Sequence, residues 1–244
     1  MEHAVDTFDV DGRITVRSGD GIFFRVPGGS TPGTNGGAAD RIRAELLERR
    51  LAGQRPAAGR ERVSVAGPGA GGVVGALEAA GVLATPWDDA QDPAVPGLLI
   101  HLPSSPAERT RFDHLPAAGT AVLRCYAEGE LVFLDPLALS PRDPSSTQVL
   151  RRRLAASAAA AELKAWLQTP AAATELSLPD TAWSMVIARV LGTVKAWQSE
   201  SAALQPLRRT LWRLDTRTLA ASEHPVLPFP EPAFLAGGLP LPRR

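Results

Sequence analysis

The stretch Val63-Ser64-Val65-Ala66-Gly67-Pro68-Gly69-Ala70-Gly71-Gly72 decides the fold of this 244-residue chain. Its first four residues predict a buried strand, and the apolar pattern of residues 73–83 predicts a helix. Gly67, Gly69 and Gly72 have the spacing G-x-G-x-x-G. In that motif the first glycine makes a tight turn, the second lets the backbone approach a pyrophosphate, and the third lets helix pack on strand. The stretch therefore predicts an α/β protein with a Rossmann-like domain.

A working dinucleotide site also needs an acidic side chain ~20 residues further on, at the end of the second strand. Asp88 and Asp89 stand at that distance, but they follow Pro86 and Trp87 in what reads as a loop. Two interpretations stay open. One is a nucleotide-dependent enzyme, adenylating or nicotinamide-dependent, that uses the glycine turn. The other, which we favour, is a vestigial turn in a protein with no cofactor and no catalytic residue.

The rest of this domain reads as alternating strands and helices. Its predicted strands are residues 98–102, in the middle of the sheet, a hairpin of 121–126 and 131–134, and 210–214. Its predicted helices are residues 148–168 and 181–202. We assign residues 61–223 to this domain and residues 224–244, which are rich in proline, to an extended tail.

Several polar or reactive residues of this domain have a plain structural interpretation. His101 lies in an apolar strand and Cys125 in a hairpin with no adjacent histidine, so we expect both to be packed and inert. The polar stretch 108–114 and the three arginines 151–153 read as solvated faces. Trp183, Val190 and Trp197 recur at helical spacing and predict either a subunit interface, in a possible homodimer, or packing against the helix 148–168.

Residues 1–60 read as a smaller region ahead of the Rossmann-like domain. Residues 13–16 and 22–26 are short β-type runs joined by a glycine-containing turn, which predicts a hairpin. Residues 38–52 have apolar positions on one face and charges on the other, which predicts a helix. The pattern is that of a β-hairpin plus a helix, a winged-helix-like arrangement that also suits a DNA-binding module, which is a third possible function.

Composition argues against several classes of function. Lys and Arg number 26 and Asp and Glu number 26, so no net positive charge favours nucleic acid or an anionic membrane. One cysteine and four scattered histidines give no spacing for a metal site. The first ten residues lack the basic start of a secretory signal. We expect a cytoplasmic protein without nucleic-acid, membrane or metal partners.

The order of these pieces resembles a known family. The Val-x-Val-x-Gly-x-Gly-x-x-Gly stretch is followed by Leu134-Asp135-Pro136-Leu137, Pro144-Ser145-Ser146-Thr147 and His224-Pro225-Val226-Leu227-Pro228-Phe229-Pro230. This arrangement is similar to the ThiF-type, adenylating-enzyme-like partner proteins of YcaO azoline cyclodehydratases, which serve ribosomal peptide natural-product pathways of the azole or thiopeptide type. The resemblance implies a partner subunit, not itself an enzyme, that binds a precursor leader peptide, scaffolds the YcaO-type enzyme, or does both.

Departures from the family pattern limit what the resemblance implies. The paired cysteines that hold zinc in family members would fall near Ser146, Val149, Pro232 and Leu235, none of which can ligate zinc. The string that holds ATP and magnesium in active relatives is absent from residues 85–97. The N-terminal region has one predicted hairpin and one helix, where the family has a three-stranded sheet and three helices.

In the resembling proteins the leader adds as a strand to the edge of the N-terminal sheet and packs against a helix. That placement makes the strand 22–26 and the helix 38–52 the candidate site here. Phe23 and Phe24 should point to opposite faces of the strand, so that one packs inward and the other meets a ligand. The arginines nearby suit an acidic leader. The candidate peptide-binding residues are Ile22, Phe23, Phe24, Arg25, Val26, Arg43, Leu47 and Arg50.

Overall fold

The computed structural model describes residues 5–11, 13–19, 21–25, 41–42, 44–45, 48, 55–88, 97–173 and 176–229. The chain divides into two compact units, Met1–Pro56 and Ala57–Arg244. No helix within the described residues is long and apolar enough to cross a membrane.

The N-terminal unit contains a three-stranded antiparallel sheet. Its strands are β1 (Val5–Val10), β2 (Arg13–Ser18) and β3 (Phe23–Arg25), with β2 in the centre. The predicted hairpin is present as β2 and β3, but the prediction left out the third strand, β1. In Val5-Asp6-Thr7-Phe8-Asp9-Val10 apolar and polar residues do not alternate regularly, and every described side chain is exposed, so no apolar face marks this strand in the sequence. The sheet thus has the three strands that the resemblance implies.

Only part of the predicted helix 38–52 lies within the described residues. Arg41, Ile42, Ala44, Glu45 and Glu48 all have helical backbone. The described positions therefore agree with the predicted helix.

The C-terminal unit is built on a seven-stranded mixed sheet with the order β10-β9-β8-β7-β6-β4-β5. The strands β5, β4, β6 and β7 run parallel, and β7, β8, β9 and β10 pair antiparallel. Their bounds are β4 Val63–Ala66, β5 Ala84–Pro86, β6 Leu98–His101, β7 Ala121–Glu128, β8 Leu131–Leu134, β9 Thr210–Asp215 and β10 Ala221–Pro225. The predicted α/β, Rossmann-like class is confirmed, and β6 is an interior strand, next to the central β7.

Helices and 3-10 turns flank this sheet. The helices are α1 Ala70–Ala79, α2 Ser146–Ala156, α3 Ala160–Trp166, α4 Asp180–Gln198 and α5 Leu204–Leu207. Short 3-10 turns cover Ala107–Thr110, Leu115–Ala118 and Pro170–Ala172.

Both long-helix predictions need correction. The predicted helix 148–168 is two helices, because Ser157 is extended and its hydroxyl accepts a hydrogen bond from the Ala159 N–H at 3.1 Å. Serine competes in this way with the helical hydrogen bonds. The predicted helix 181–202 ends at Gln198, and Glu200, with a φ of 51°, lies outside helical geometry.

The stripe on α4 belongs to the core of the unit. Val190 and Trp197 are buried in the main apolar cluster of the unit, which also contains Val65 of β4 and Ile100 of β6. Trp183 packs against this cluster. The helix contacts α1 and the sheet, so the prediction that it packs on residues 148–168 was wrong. These side chains of α4 pack inside the unit, so they do not support the predicted subunit interface.

The segment assigned to the tail begins inside the sheet. His224 and Pro225 close β10, and the buried Val226 donates its N–H to the Arg209 carbonyl at 2.7 Å. Proline is tolerated here because β10 is an edge strand. Residues 230–244 lie outside the described residues.

Candidate functional site

The outer edge of β3 presents unpaired backbone groups. The Ser18 N–H donates to the Ile22 carbonyl at 2.9 Å, and the register pairs Val16 with Phe24. Since backbone groups alternate in direction along an antiparallel strand, Phe23 and Arg25 direct their N–H and C=O groups away from β2. Within the described residues no strand pairs with that side of β3. As far as the described residues extend, this edge is therefore open to an added strand.

The side chains of β3 are exposed on both faces of the sheet. Phe23 is 60% exposed and Phe24 is 37% exposed, so the expectation that one of them packs inward was wrong. Phe23 makes an edge-to-face contact with Phe8 at 6.1 Å, and the Arg17 guanidinium lies 5.9 Å from its ring. Three strands are too few to bury both faces of this sheet, so the aromatic rings remain at the surface.

The structure brings part of the predicted peptide site together. Ile22, Phe23, Phe24 and Arg25 form one exposed segment. Val26 and the predicted helix residues Arg43, Leu47 and Arg50 lie outside the described residues.

The glycine turn of the C-terminal unit is explained by its packing. Gly67 has a φ of 109°, and a Cβ at this position would lie 2.0 Å from the Leu102 carbonyl oxygen. Gly69 has a φ of 76° at the start of α1, and a Cβ on Gly72 would contact the Trp183 ring at 3.5 Å. Close approach and backbone conformation thus account for Gly67 and Gly69 without a ligand.

The stretch that precedes the acidic position differs in part from the expectation. Pro86 is the last residue of β5, and the Trp87 N–H continues the ladder to the Val65 carbonyl at 2.8 Å. The Trp87 ring packs on Phe112 at 5.7 Å. The stretch is therefore a strand as far as Pro86, which the interpretation as a loop missed, but Asp88 itself lies beyond the strand at an exposed position, as that interpretation has it. Asp89 lies outside the described residues.

His101 is the last residue of β6. This strand runs parallel to β4, the strand that leads into the glycine turn. Its ring is buried and contacts Phe112 edge-to-face at 4.7 Å. Burial, and then the positive charge of Arg124, lower its pKa to about 4. No described residue bonds to the buried Nδ1. The imidazole is therefore neutral at physiological pH.

A buried ionic cluster occupies one face of β7, where the alternating residues Arg124, Tyr126 and Glu128 point. Arg109 donates to Glu128 at 2.7 Å, and Arg153 bonds to both carboxylate oxygens of Glu128. Burial opposes the charge of Glu128, but the hydrogen bonds and charges of Arg153 and Arg109 lower its pKa overall. The expectation that the arginines 151–153 form a solvated face was wrong for Arg153.

A second part of the cluster surrounds Arg124. Its guanidinium donates to Asp113 and, through Nε, to the Arg109 carbonyl at 2.8 Å. Asp113 also accepts the Ser146 N–H and hydroxyl, which ties the first turn of α2 to the strand. The expectation that the stretch 108–114 is a solvated face is thus wrong for Arg109 and Asp113, whereas Arg111 and His114 are exposed. The clue in the sequence was the alternation of polar residues in an otherwise apolar strand.

The positions that would match the family's zinc ligands have other roles here. Ser146 bonds to Asp113, Val149 is buried in an apolar cluster, and Pro232 and Leu235 lie outside the described residues. Burial, and then the charge of Asp135, raise the pKa of the Cys125 thiol. Among the described residues, no three His, Cys, Asp or Glu side chains are placed to hold a metal ion.

Comparison with known proteins identifies similar folds only. No family model and no curated protein matches the sequence. The E. coli microcin synthetase McbBCD complex with pro-MccB17 bound contains a similar chain, with a TM-score of 0.55 and 10% identity over 96% of this chain and 98% of that one. E. coli MccB is similar with a TM-score of 0.54 and 10% identity over 99% and 97%. The heterocyclase TruD is similar with a TM-score of 0.57 and 14% identity over 92% of this chain, which spans 40% of TruD.

Proposed function

We propose that this chain is a non-catalytic partner subunit in the biosynthesis of ribosomal peptide natural products of the azole or thiopeptide type. In this proposal the N-terminal unit binds the leader of a precursor peptide, and the C-terminal unit scaffolds a YcaO-type modifying enzyme. The observation that carries the proposal is the free outer edge of β3, with its exposed apolar and cationic side chains.

The chemistry of that edge suits an extended peptide. The outward N–H and C=O groups of Phe23 and Arg25 can continue the antiparallel ladder, which gives affinity for any extended backbone. The exposed rings of Phe23 and Phe24 offer apolar contacts on either face, which gives selectivity for alternate side chains of the peptide. The guanidinium of Arg25 favours a peptide with acidic residues.

The similar folds support the same assignment. One of the similar solved structures holds pro-MccB17 within a microcin synthetase complex, and TruD is a heterocyclase. Packing accounts for Gly67 and Gly69 without a ligand, and His101 is buried and neutral. Both features agree with a partner subunit that has no catalytic role.

The alternative is a nucleotide-dependent enzyme that uses the glycine turn. It is favoured by one observation: Gly69 leads into the ten-residue helix α1, whose first N–H groups are those that bind phosphate in related turns. Equilibrium dialysis with ATP and with NAD separates the two functions, because saturable binding of either nucleotide favours the enzyme.

The experiment for peptide binding uses fluorescein-labelled peptides made from the short open reading frames beside this gene. We expect one of them to bind the intact protein, as measured by fluorescence anisotropy. The variant Arg25→Pro removes an outward N–H while leaving the β2–β3 hydrogen bonds intact. It should weaken binding about tenfold, the effect of one lost hydrogen bond of ~1–1.5 kcal/mol.

Two variants control this experiment. Thr7→Pro removes an N–H from the opposite edge, on β1, and should leave affinity unchanged. This N–H points outward because Val16, the register partner of Thr7, directs its own backbone groups toward Phe24 of β3. Arg25→Ala separates the loss of charge from the loss of the N–H. Equal affinity of wild type and Arg25→Pro, or loss of affinity in Thr7→Pro alone, refutes binding at β3.

A further inference from the structure

A groove of about 340 Å³ lies between α4, α5 and the strands β9 and β10. Three small residues of α4 line it at a spacing of four, Ala188, Gly192 and Ala196, so they lie on one side of the helix. Pro206 and Leu207 of α5 add apolar surface. The volume is at the lower end of the range for pockets that bind small molecules. The groove therefore suits a small ligand with an apolar body.

An ion pair borders the same groove. The Arg189 guanidinium pairs with the Glu223 carboxylate at 2.7 Å, and these side chains are 26% and 56% exposed. A guanidinium has five N–H donors in one plane, so Arg189 can bind a second carboxylate beside Glu223. The groove thus offers a cation to an anionic group of a ligand.

A smaller cavity of about 10 Å³ adjoins the groove. The two have four wall residues in common, which are Arg189, Thr193, Leu207 and Thr210. The other walls of this inner cavity are Leu123, Leu134, Asp135 and Trp212. Its volume is about that of one water-sized group. A ligand in the groove can therefore place one small polar group in the inner cavity.

The polar side chains of the inner cavity have acceptor capacity to spare. Asp135 is 3% exposed, and the hydrogen bond that its carboxylate receives from a described residue is on Oδ1, from the Tyr126 hydroxyl at 2.9 Å. Its Oδ2 keeps its lone pairs. The hydroxyls of Thr193 and Thr210 each donate to the carbonyl four residues earlier, at 3.0 and 2.8 Å. Because a hydroxyl has one hydrogen, each of them can only accept a further bond. Three oxygen acceptors therefore belong to this cavity.

These features together define a ligand. A primary ammonium group has three N–H donors, which match the three acceptors, and its charge complements the buried carboxylate of Asp135. Arg189 borders both the cavity and the groove, so it meets a carboxylate that is attached next to the ammonium group. A molecule with an ammonium and a carboxylate on one carbon is an α-amino acid, and its third substituent would lie along the apolar groove.

We propose that this groove binds a free α-amino acid with an apolar side chain. The ammonium group lies in the inner cavity against Asp135, the carboxylate pairs with Arg189, and the side chain lies along Gly192. The site is separate from the β3 edge, and it does not depend on the function proposed above.

Three related ligands test the recognition of each charge. Isothermal titration calorimetry of the intact protein with L-phenylalanine should show saturable binding of one molecule per chain. N-acetyl-L-phenylalanine lacks the ammonium charge, and phenethylamine lacks the carboxylate. Each should bind at least about tenfold more weakly, the effect of losing a charge-assisted hydrogen bond.

Variants assign the two charges to their partners. Arg189→Gln should lower the affinity for L-phenylalanine by about tenfold without weakening phenethylamine, which has no carboxylate. Asp135→Asn should weaken both ligands, and its side-chain oxygen can still accept from Tyr126. Thermal unfolding followed by tryptophan fluorescence shows whether each variant is folded.

A third variant fills the groove without disturbing the core. A Cβ on Gly192 has no neighbour within 4 Å, and leucine favours a helix more than glycine does, so Gly192→Leu should fold and block the site. Gly192→Ala, which leaves most of the groove open, is the matched control and should still bind. The proposal is overturned if L-phenylalanine does not bind at millimolar concentration, or if it binds Gly192→Leu as tightly as wild type. It is equally overturned if N-acetyl-L-phenylalanine or phenethylamine binds as tightly as L-phenylalanine.

Discussion

Arg153 holds Glu128 with both terminal nitrogens of its guanidinium, and it reaches from α2 to the end of β7 to do so. The same guanidinium lies 4.1 Å from the centre of the Phe133 ring. Arg109 binds Glu128 from the other side at 2.7 Å. One buried carboxylate therefore bonds to two buried guanidinium groups, and it joins α2 and the Ala107–Thr110 turn to the central strand.

Removing the charge of Glu128 should destabilise the protein strongly. Glu128→Gln leaves two buried guanidinium groups without their anion, so we expect a loss of about 3 kcal/mol in the free energy of unfolding. Urea unfolding measures this loss. Glu130→Gln is the matched control, because Glu130 is exposed and its pair with Arg217 is open to solvent. Equal stability of the two variants would contradict the structural role of the cluster.

Acidification should destabilise the protein in two windows. The folded pKa of His101, about 4, lies below the ~6.5 of an unfolded histidine. The unfolded state therefore binds the proton first, and stability falls by about 2–3 kcal/mol as the pH drops from 6.5 to 4. The pKa of Glu128 in the folded protein is also lowered, so stability falls further as the pH drops below the ordinary pKa of a carboxyl group.

The His101 window is measured by urea unfolding at several pH values and by NMR titration of the imidazole. His101→Asn should flatten the slope between pH 6.5 and 4, and the exposed His114→Asn should not. A His101 resonance that titrates near pH 6.5 in the folded protein would contradict the buried, neutral state.

Substitution by alanine should change the stability in opposite directions at two glycines of the glycine-rich stretch, Gly67 in the turn and Gly71 in the helix. Gly67→Ala places a Cβ against the Leu102 carbonyl at an unfavourable φ, so we expect a loss of at least ~2–3 kcal/mol. A Cβ on Gly71 has no neighbour within 4 Å, and this residue is helical, so Gly71→Ala should gain ~0.5–1 kcal/mol. Denaturant unfolding of both variants measures the difference. A tolerated Gly67→Ala would show that the turn is not constrained by β6.

The Cys125 thiol should be inert in the folded protein. It is buried, and burial together with the charge of Asp135 raises its pKa, so little thiolate forms at pH 8. A disulfide reagent such as Ellman's should react at the rate of global unfolding and quickly in urea. Fast labelling without denaturant would place the thiol at the surface.

Local patterns predicted the segments whose folding depends on near neighbours. The strand, glycine turn and helix from Val63 to Ala79 form one continuous unit of chain, and the β7–β8 hairpin closes over a few residues. Apolar periodicity and glycine positions are sufficient for both. The edge at Phe23–Arg25 was also predicted, because a short β-type run after a glycine turn ends a hairpin.

Non-local relationships were beyond the sequence patterns. The arginines at 109 and 153 look solvent-exposed in their own segments, and only the fold brings them to Glu128. The exposed strand β1 has no apolar face of its own to mark it. The helix break at Ser157 depends on one side-chain hydrogen bond, in a stretch of alanines that otherwise favours helix.

The order of the strands sets the order in which the sheet can be completed during translation. β8 ends at Leu134 and pairs on one side with β7, which is already made, but the strand on its other side, β9, begins at Thr210. A nascent chain therefore emerges from the ribosome with the apolar Leu131–Leu134 edge open until α4 and β9 have followed. Chaperone binding to β8 during synthesis is the expected consequence, and chains stalled before β9 should aggregate.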